Sequence, residues 1–307
     1  MTRRARVLVV ATGLAAIALV VGSVAAVMLR PLAVFEAFER ARLRLDRMER
    51  VEVNGPRGPL VYWRGGSGPL VLFLHGVNDQ AGTWVRVIAP LRDHHRVVLV
   101  DLPGHGASAP AEGPLSVKDL LDGVETVVAA ESRGEPVTLA GNSLGGWLAL
   151  LYADRHSDRV RQIVLVNGAA IRDDGTGPKV NLLPRNRQEA AAALQATMSP
   201  ASAPMPGFVM DDLVRRAPAS PLARLTASPM PDEFLIDARL GSLRVPVTLI
   251  WGEDDHVLPV AYARRVAAAL AEAELVLLPR CGHIPQRECP DQLRPALGRA
   301  LRAAAHQ

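Results

Sequence analysis

A serine lies in a glycine-rich run where a strand pattern changes to a helix pattern. The run reads GNSLG over 141–145, a G-x-S-x-G pattern centred on Ser143, and the apolar stretch from Val137 to Ala140 precedes it. A serine on such a turn is exposed, and the following helix N-terminus offers free N–H groups where an oxyanion forms. The pattern alone arises by chance about once in ten chains of this length, so other residues must support it.

A serine nucleophile needs a histidine to take its proton and a carboxylate to orient that histidine. The second half of the chain offers both, each after a strand pattern. The strand pattern Val245 to Trp251 leads into GEDDHVLP at 252–259, and Leu275 to Leu278 leads into PRCGHIP at 279–285. Because open α/β sheets place their sites at the carboxyl ends of strands, we expect both loops to lie near Ser143.

Four motifs in this order resemble the α/β-hydrolase superfamily over roughly residues 51–304. They are His75-Gly76 after the strand pattern 70–74, DLPGHGAS at 101–108, the serine elbow, and the acid and histidine loops. The resemblance implies an α/β fold, with a mostly parallel eight-stranded sheet flanked by helices and a helical cap insertion. It also assigns Asp255 as the acid of a G-x-x-D-x-x-x-P motif and His283 of the G-H-x-P loop as the base.

Other residues compete for these roles. Asp254 and Glu253 share the acid loop, and Asp254 stays open as the alternative carboxylate. Among the eight histidines, His256 follows no strand of its own. His75 and His105 belong to motifs that serve loop structure in the family. The remaining four are most simply surface residues: His94, His95, His156 and His306.

The oxyanion hole is expected to consist of two backbone N–H groups. One belongs to Leu144, directly after the nucleophile, and the resemblance assigns the other to Val77, after His75-Gly76. Such donors act on the charge that develops in the transition state. This chemistry needs no metal and no organic cofactor, so none is predicted. No substrate-binding residue is assigned.

The composition fits one large α/β domain with an insertion. The chain has 307 residues, of which 49% are hydrophobic, and its net charge is only +4. Its basic residues are scattered, so the sequence does not predict a nucleic-acid groove. The two cysteines, Cys281 and Cys289, lie near the histidine loop without C-x-x-C spacing. They are either two small buried or half-buried residues or a disulfide that steadies the His283 loop, which would require an oxidising compartment.

The N-terminus has the composition of a membrane anchor. After a short basic leader, the run from Val7 to Leu29 has no charge. As a helix it would span roughly 34 Å, enough to cross a bilayer and longer than a signal-peptide core. We therefore predict an uncleaved single-pass anchor over residues 1–30, in contact with the membrane through residues 7–29. The alternative is cleavage near Ala26. Basic residues flank both ends, but a short basic leader favours a catalytic domain on the non-cytoplasmic side.

Residues 31–50 form an amphipathic pattern. Apolar residues recur at near-helical spacing from Leu32 to Met48, and arginines mixed with acidic residues occupy the other positions. This juxtamembrane helix either lies in the membrane interface or packs on the hydrolase body as a linker.

The rest of the chain divides into a core and an insertion. Val51 to Val53 and Leu60 to Trp63 predict a hairpin, and strand and helix patterns then alternate, with Trp84 to Leu91 in a helix position. The core is predicted over 51–168 and 241–307, and the helical cap over 169–240. Cap helices are expected at Gln188 to Thr197 and Asp211 to Arg216. Apolar cap residues that suit acyl or alkyl chains, or simply pack the cap, are Met198, Met205, Phe208, Met210, Leu213, Met230 and Phe234.

These features predict a serine hydrolase that cleaves carboxylic esters, with lipid-like or other apolar acyl esters expected. The anchor, basic helix and hydrolase body resemble the layout of membrane-bound monoacylglycerol lipases. The GNSLGG run at 141–146 also resembles the elbow of meta-cleavage-product hydrolases, which break carbon–carbon bonds. A third possibility is a non-catalytic ligand receptor on the same fold. The oligomeric state is left open.

Overall fold

The computed structural model describes residues 3–171 and 180–303. In chain order the helices and strands are α1 (Arg3–Leu29), α2 (Pro31–Leu45), β1 (Glu49–Gly55), β2 (Gly58–Gly65), β3 (Leu70–Leu74), β4 (Arg96–Val100), α3 (Val117–Glu131), β5 (Val137–Ser143), α4 (Leu144–Arg155), β6 (Val160–Gly168), α5 (Arg187–Thr197), α6 (Gly207–Arg216), α7 (Pro221–Leu225), β7 (Val247–Gly252), α8 (Val260–Ala269), β8 (Ala273–Leu278), α9 (Pro285–Glu288) and α10 (Pro290–Ala303). Short 3₁₀ turns connect several of them.

The strands form one eight-stranded sheet in the order β1-β2-β4-β3-β5-β6-β7-β8. β1 pairs antiparallel with β2, and β2 pairs antiparallel with β4. Every other pair is parallel. The predicted mostly parallel eight-stranded sheet and its first hairpin are therefore confirmed.

Helices cover both faces of the sheet, which explains why its central strands are almost continuously apolar. Successive strand residues point to opposite faces. In β3, Leu72 and Leu74 join the core under α3 and α4, whereas Val71 and Phe73 join the core under α10. Because both faces are buried, the carboxyl ends of the strands are where polar side chains collect.

Two expectations about helices differ from the structure. Instead of a helix over Trp84 to Leu91 there are two 3₁₀ turns, at Ala81–Trp84 and Ala89–Leu91. Pro90 lacks the N–H that a continuous α-helix would use there. The amphipathic helix is also shorter than the pattern over 31–50, because α2 ends at Leu45 and β1 begins at Glu49. Pairing with β2 takes the last residues of that pattern into the sheet.

At the N-terminus, α1 and α2 meet at Arg30, and Pro31 occupies the first turn of α2. Among the described residues, no single helix meets the length and hydropathy expected of a membrane span. Ala15–Leu29 and Pro31–Leu45 meet that test only as a pair, bent by 110°. The transmembrane helix expected over residues 7–29 is thus not found as a single span.

In the described part of the segment between β6 and β7, the regular elements are helices and 3₁₀ turns, joined by irregular stretches. α5, α6 and α7 lie there, and the two expected cap helices correspond to α5 and α6. Residues 172–179, at the start of the predicted cap, lie outside the described residues. Arg224 of α7 ties this segment to the body by donating to backbone carbonyl groups of the 104–113 loop, including Pro110 and Gly113.

Candidate active site

Ser143 lies at the end of β5 with a strained backbone. Its φ is 50° and its ψ is −117°, a region that residues with a side chain rarely occupy. The turn needs glycine on both sides, because a Cβ at Gly141 would overlap Gly145 and a Cβ at Gly145 would overlap the carbonyl oxygen of Leu74. The helix α4 begins immediately afterwards, so the N–H of Leu144 is one of the groups that its first turn leaves without an intrahelical partner.

Asp255 and His283 form a buried hydrogen-bonded pair. The Nδ1 atom of His283 lies 2.7 Å from Oδ2 of Asp255, and their exposed fractions are 5% and 1% respectively. The other carboxylate oxygen, Oδ1, accepts from the backbone N–H groups of Val257 and Leu258, each at 2.8 Å. A proton on Nδ1 satisfies the carboxylate and leaves Nε2 as the basic atom of the imidazole ring.

The neighbouring acid of the same loop faces elsewhere. Asp254 accepts a hydrogen bond from the hydroxyl group of Ser199, in the segment that follows α5. His256 donates its backbone N–H to the carbonyl of Ala196 in α5. Of the two carboxylates that the sequence left open, Asp255 is the one that contacts His283.

Asn167 is a site residue that the sequence did not identify. Its Nδ2 donates to Oδ2 of Asp255 at 2.6 Å, and its Oδ1 accepts from the N–H of Gly252 at 3.2 Å. Asn167 is fully buried near the carboxyl end of β6, with a φ of 48°. The only signal in the sequence was a polar side chain after an apolar strand. Asn167 therefore holds the carboxylate at Oδ2, whereas the loop N–H groups hold it at Oδ1.

Asn142 joins the serine turn to the histidine loop. Its Nδ2 donates to the backbone carbonyl of His283 at 3.0 Å and to that of Val166 at 2.8 Å. Its Oδ1 accepts from Nε2 of Gln286 at 3.1 Å. Because Asn142 directly precedes Ser143, these bonds fix the position of the histidine loop relative to the serine.

The loop that holds Val77 also lies against the serine. β3 and β5 are neighbours in the sheet, and a Cβ placed on Gly76 would lie 3.3 Å from the Cβ of Ser143. His75 shapes this loop, since its Nδ1 lies 2.7 Å from the carbonyl of Gly76 and its Nε2 accepts from the N–H of Leu102 at 3.0 Å. Burial lowers the pKa of His75 to about 4, so the ring is neutral at pH 7.

Asp101 organises the DLPGHGAS motif at 101–108 through hydrogen bonds to nearby loops. Its carboxylate accepts the N–H groups of Ala81 at 2.7 Å and Ala107 at 3.0 Å, and the hydroxyl of Ser108 donates to its backbone carbonyl. Burial raises the pKa of Asp101, and the two N–H groups oppose that rise. Its partners are all backbone or loop groups, as expected of a residue that fixes a turn.

Cys281 and Cys289 are joined by a disulfide, with their Cα atoms 6.0 Å apart. The sequence had left this pairing open. The bridge encloses His283 and the short helix α9. Within it, the N–H of Gly282 donates to the carboxylate of Glu288 at 2.8 Å. The histidine loop is therefore fixed by a covalent bond as well as by its hydrogen bonds.

The apolar cap residues range from buried to exposed. Phe234 is 2% exposed and belongs to the main core, so it packs the insertion onto the body. Met205 and Met230 are 37% and 45% exposed. In the described part of the chain, no group of three or more histidine, cysteine or acidic side chains is placed to hold a metal ion.

The chain resembles known hydrolases in both sequence and structure. A model of the alpha/beta hydrolase family matches residues 71–296. The chain is 30% identical over 241 residues to the pimeloyl-[acyl-carrier protein] methyl ester esterase of Nitrosomonas europaea, covering 74% of this chain and 93% of the relative. It is 27% identical over 248 residues to monoacylglycerol lipase ABHD6 of Homo sapiens, covering 74% and 73%.

Among solved structures, a membrane phospholipase A described as a bacterial virulence factor superposes with a TM-score of 0.74. It is 26% identical in sequence, and the match covers 96% of this chain and 99% of that one. The similarity therefore extends beyond the segment that the family model matches.

Proposed function

The chain belongs to the alpha/beta hydrolase family, and we propose that it is a serine hydrolase that cleaves carboxylic esters through an acyl-enzyme on Ser143. The observation that carries this proposal is the buried pair of His283 and Asp255 at 2.7 Å, connected to the serine turn by Asn142. A buried carboxylate that accepts from Nδ1 orients an imidazole as general base.

In the proposed reaction, His283 takes the proton of the Ser143 hydroxyl as its oxygen attacks the ester carbonyl. The backbone N–H groups of Val77 and Leu144 hold the oxyanion. His283 then gives its proton to the leaving alcohol, which departs as the acyl-enzyme forms. Water, activated by the same histidine, releases the acid and restores the serine. No step uses a metal or an organic cofactor.

We propose that the substrates are lipid-like or other apolar acyl esters and that the protein works at a membrane. α1 and α2 leave large apolar side chains in contact with solvent, among them Leu19, Phe38 and Leu45, which are 72%, 64% and 78% exposed. Such a surface is typical of a membrane-binding segment. Two of the similar proteins, a monoacylglycerol lipase and a membrane phospholipase, are lipid enzymes by name.

The disulfide is informative about the cellular compartment of the catalytic domain. Disulfides persist in oxidising environments and are rare in the cytosol of mesophiles. The paired Cys281 and Cys289 therefore support a catalytic domain on the non-cytoplasmic side of the membrane.

A chain-length panel tests the proposed activity. Purified protein is assayed with p-nitrophenyl esters from acetate to palmitate, with monoacylglycerols, and with a 2-hydroxy-6-oxo-dienoate as a carbon–carbon substrate. Ser143→Ala is the test variant, and Ser157→Ala, at an exposed serine beyond α4, is the matched control. We expect ester turnover that rises with acyl length and is lost only in Ser143→Ala. Turnover of the dienoate alone would favour the carbon–carbon hydrolases, and background rates throughout would favour a ligand receptor.

A further inference from the structure

Arg287 connects the catalytic histidine loop to two other parts of the chain. It lies on α9, inside the loop that the disulfide closes and four positions after His283. Its guanidinium group donates to both carboxylate oxygens of Glu39 on α2, with Nε to Oε1 at 3.0 Å and Nη2 to Oε2 at 2.7 Å. The same Nη2 donates to Oδ1 of Asp79 at 2.7 Å. Asp79 is only two residues after Val77, so the bridge reaches the proposed oxyanion loop.

Both acidic members of the bridge are buried, and the arginine is half-buried. The side chain of Glu39 is 4% exposed, that of Asp79 is 8% exposed, and that of Arg287 is 24% exposed. The ring of Phe35 on α2 lies 5.3 Å from the guanidinium carbon of Arg287. In such surroundings an unpaired charge is costly, so these groups are strongly held in their mutual positions.

Gln80 extends the network into the backbone of the oxyanion loop. Its Nε2 donates to Oε2 of Glu39 at 2.7 Å, and its Oε1 accepts from the N–H of Gly82 at 3.0 Å. Its own N–H donates to the carboxylate of Asp79 at 2.8 Å. The side chain of Gln80 therefore links the backbone of this loop, at Gly82, to the carboxylate of Glu39 on α2.

We infer that Arg287 and Glu39 are positioning residues of the active site. Through them α2, although it lies before the first strand, fixes the position of the oxyanion loop (residues 76–82) relative to the histidine loop (residues 281–289). This inference rests on the proposed serine hydrolase function for its kinetic consequences. Small displacements of a catalytic group by remote changes can cost about 100-fold in rate, so loss of the bridge has a measurable effect.

The kinetic test compares Glu39→Gln, Arg287→Met and Arg287→Lys with Arg42→Gln, a control on the exposed side of α2. For Glu39→Gln and Arg287→Met we expect kcat and the rate of fluorophosphonate labelling of Ser143 to fall about 10- to 100-fold, with KM within about twofold. Arg287→Lys keeps the charge and should recover part of the loss. A melting temperature that falls while kcat and labelling stay at wild-type values would show a merely structural bridge and overturn the inference.

Amide hydrogen exchange tests the same inference without relying on activity. In Glu39→Gln, exchange in residues 76–82 and 281–289 should rise at least about threefold over wild type, and Arg42→Gln should leave both segments unchanged. If Glu39→Gln does not fold, Asp79→Asn removes the other acceptor and is measured in its place. Unchanged exchange in both segments would overturn the inference. If wild-type Ser143 resists labelling, the hydrolase proposal fails, and the exchange result alone decides whether the bridge positions the loops.

Discussion

The side-chain amide of Asn142 donates to the backbone carbonyl of His283 at 3.0 Å, although 141 positions separate the two residues. Asn142 precedes the proposed nucleophile, and His283 is the proposed base. A single buried amide therefore connects the two loops whose relative position the proposed chemistry depends on. It also explains why a polar residue is accommodated in the serine turn, where the surrounding strands are apolar.

Replacement of Asn142 by alanine should lower kcat about tenfold and leave KM nearly unchanged. The substitution removes the hydrogen bonds to the carbonyl of His283 and from the amide of Gln286, so these bonds no longer fix the position of the histidine loop relative to the serine. Steady-state kinetics with a soluble ester measure the effect. Asn181→Ala, at an exposed asparagine in the insertion, is the control. Equal losses in both variants, or a rise in KM alone, would contradict this role.

Asp255 and Asp254 should respond very differently to substitution by asparagine. Asp255→Asn removes the acceptor that fixes the tautomer of His283, a change that costs about 10⁴-fold in kcat in serine proteases. Asp254→Asn disturbs only a bond to Ser199 and should stay within about threefold of wild type. Measuring kcat for both variants decides which of the two aspartates orients His283. A larger loss of kcat in Asp254→Asn would mean that Asp254, and not Asp255, is the carboxylate that orients His283.

The structural origin of this difference could not be derived from the sequence. The sequence places both acids in one loop after a strand pattern, and only the family resemblance favours Asp255. Which of them faces His283 depends on the turn that follows β7, where the N–H groups of Val257 and Leu258 hold one carboxylate oxygen.

The disulfide should stabilise the histidine loop. Its closed loop is short, and the loop-entropy relation gives about 2–3 kcal/mol for a loop of this size. The double variant Cys281→Ser/Cys289→Ser should therefore unfold at lower urea concentration than wild type. Adding a reductant should shift wild type to the same midpoint and leave the variant unchanged. A wild-type midpoint that does not respond to reductant, together with free thiols in mass spectrometry, would refute the pairing.

Acid should destabilise the protein partly through His105. Burial, with a smaller effect from the nearby His75, lowers the pKa of His105 to about 3. Below pH 6.5, His105 binds a proton in the unfolded chain but not in the folded chain. The free energy of unfolding therefore keeps its full value above pH 6.5 and falls as the pH drops below it. Between pH 7 and pH 5 the titration of His105 lowers the free energy of unfolding by about 2 kcal/mol.

Urea unfolding at pH 7 and pH 5 measures that loss. His105→Asn retains a donor near the position of Nδ1, which contacts the carbonyl of Pro103, and removes the titration. The fall in stability between the two pH values should be smaller in His105→Asn by about 2 kcal/mol. An equal fall in both proteins would mean that His105 titrates normally in the folded state.

Much of the fold followed from local patterns, because buried strands and amphipathic helices have distinct periods. The strand over Arg96 to Val100 was predicted with both of its ends. The prediction of a helix over Trp84 to Leu91 was wrong, since Pro90 and the close packing of this connection favour short turns.

Long-range polar contacts could not be predicted in the same way. Asn167 meets Asp255 only because β6 and β7 are adjacent in the sheet, and Arg287 meets Glu39 across 248 positions of sequence. Neither contact leaves a periodic signal. Many other arginines and acids in the chain offered equally plausible partners.

The most direct test of the central claim is the site of covalent reaction with a fluorophosphonate. Wild-type protein is incubated with the reagent, and the modified peptide is identified by mass spectrometry, with ester turnover followed in the same samples. We expect one adduct, on Ser143, that forms in step with the loss of turnover. Ser143→Ala should form no adduct and should lose about 10⁶-fold in kcat. An adduct on another residue, or wild-type turnover by Ser143→Ala, would contradict the assignment of Ser143 as the nucleophile.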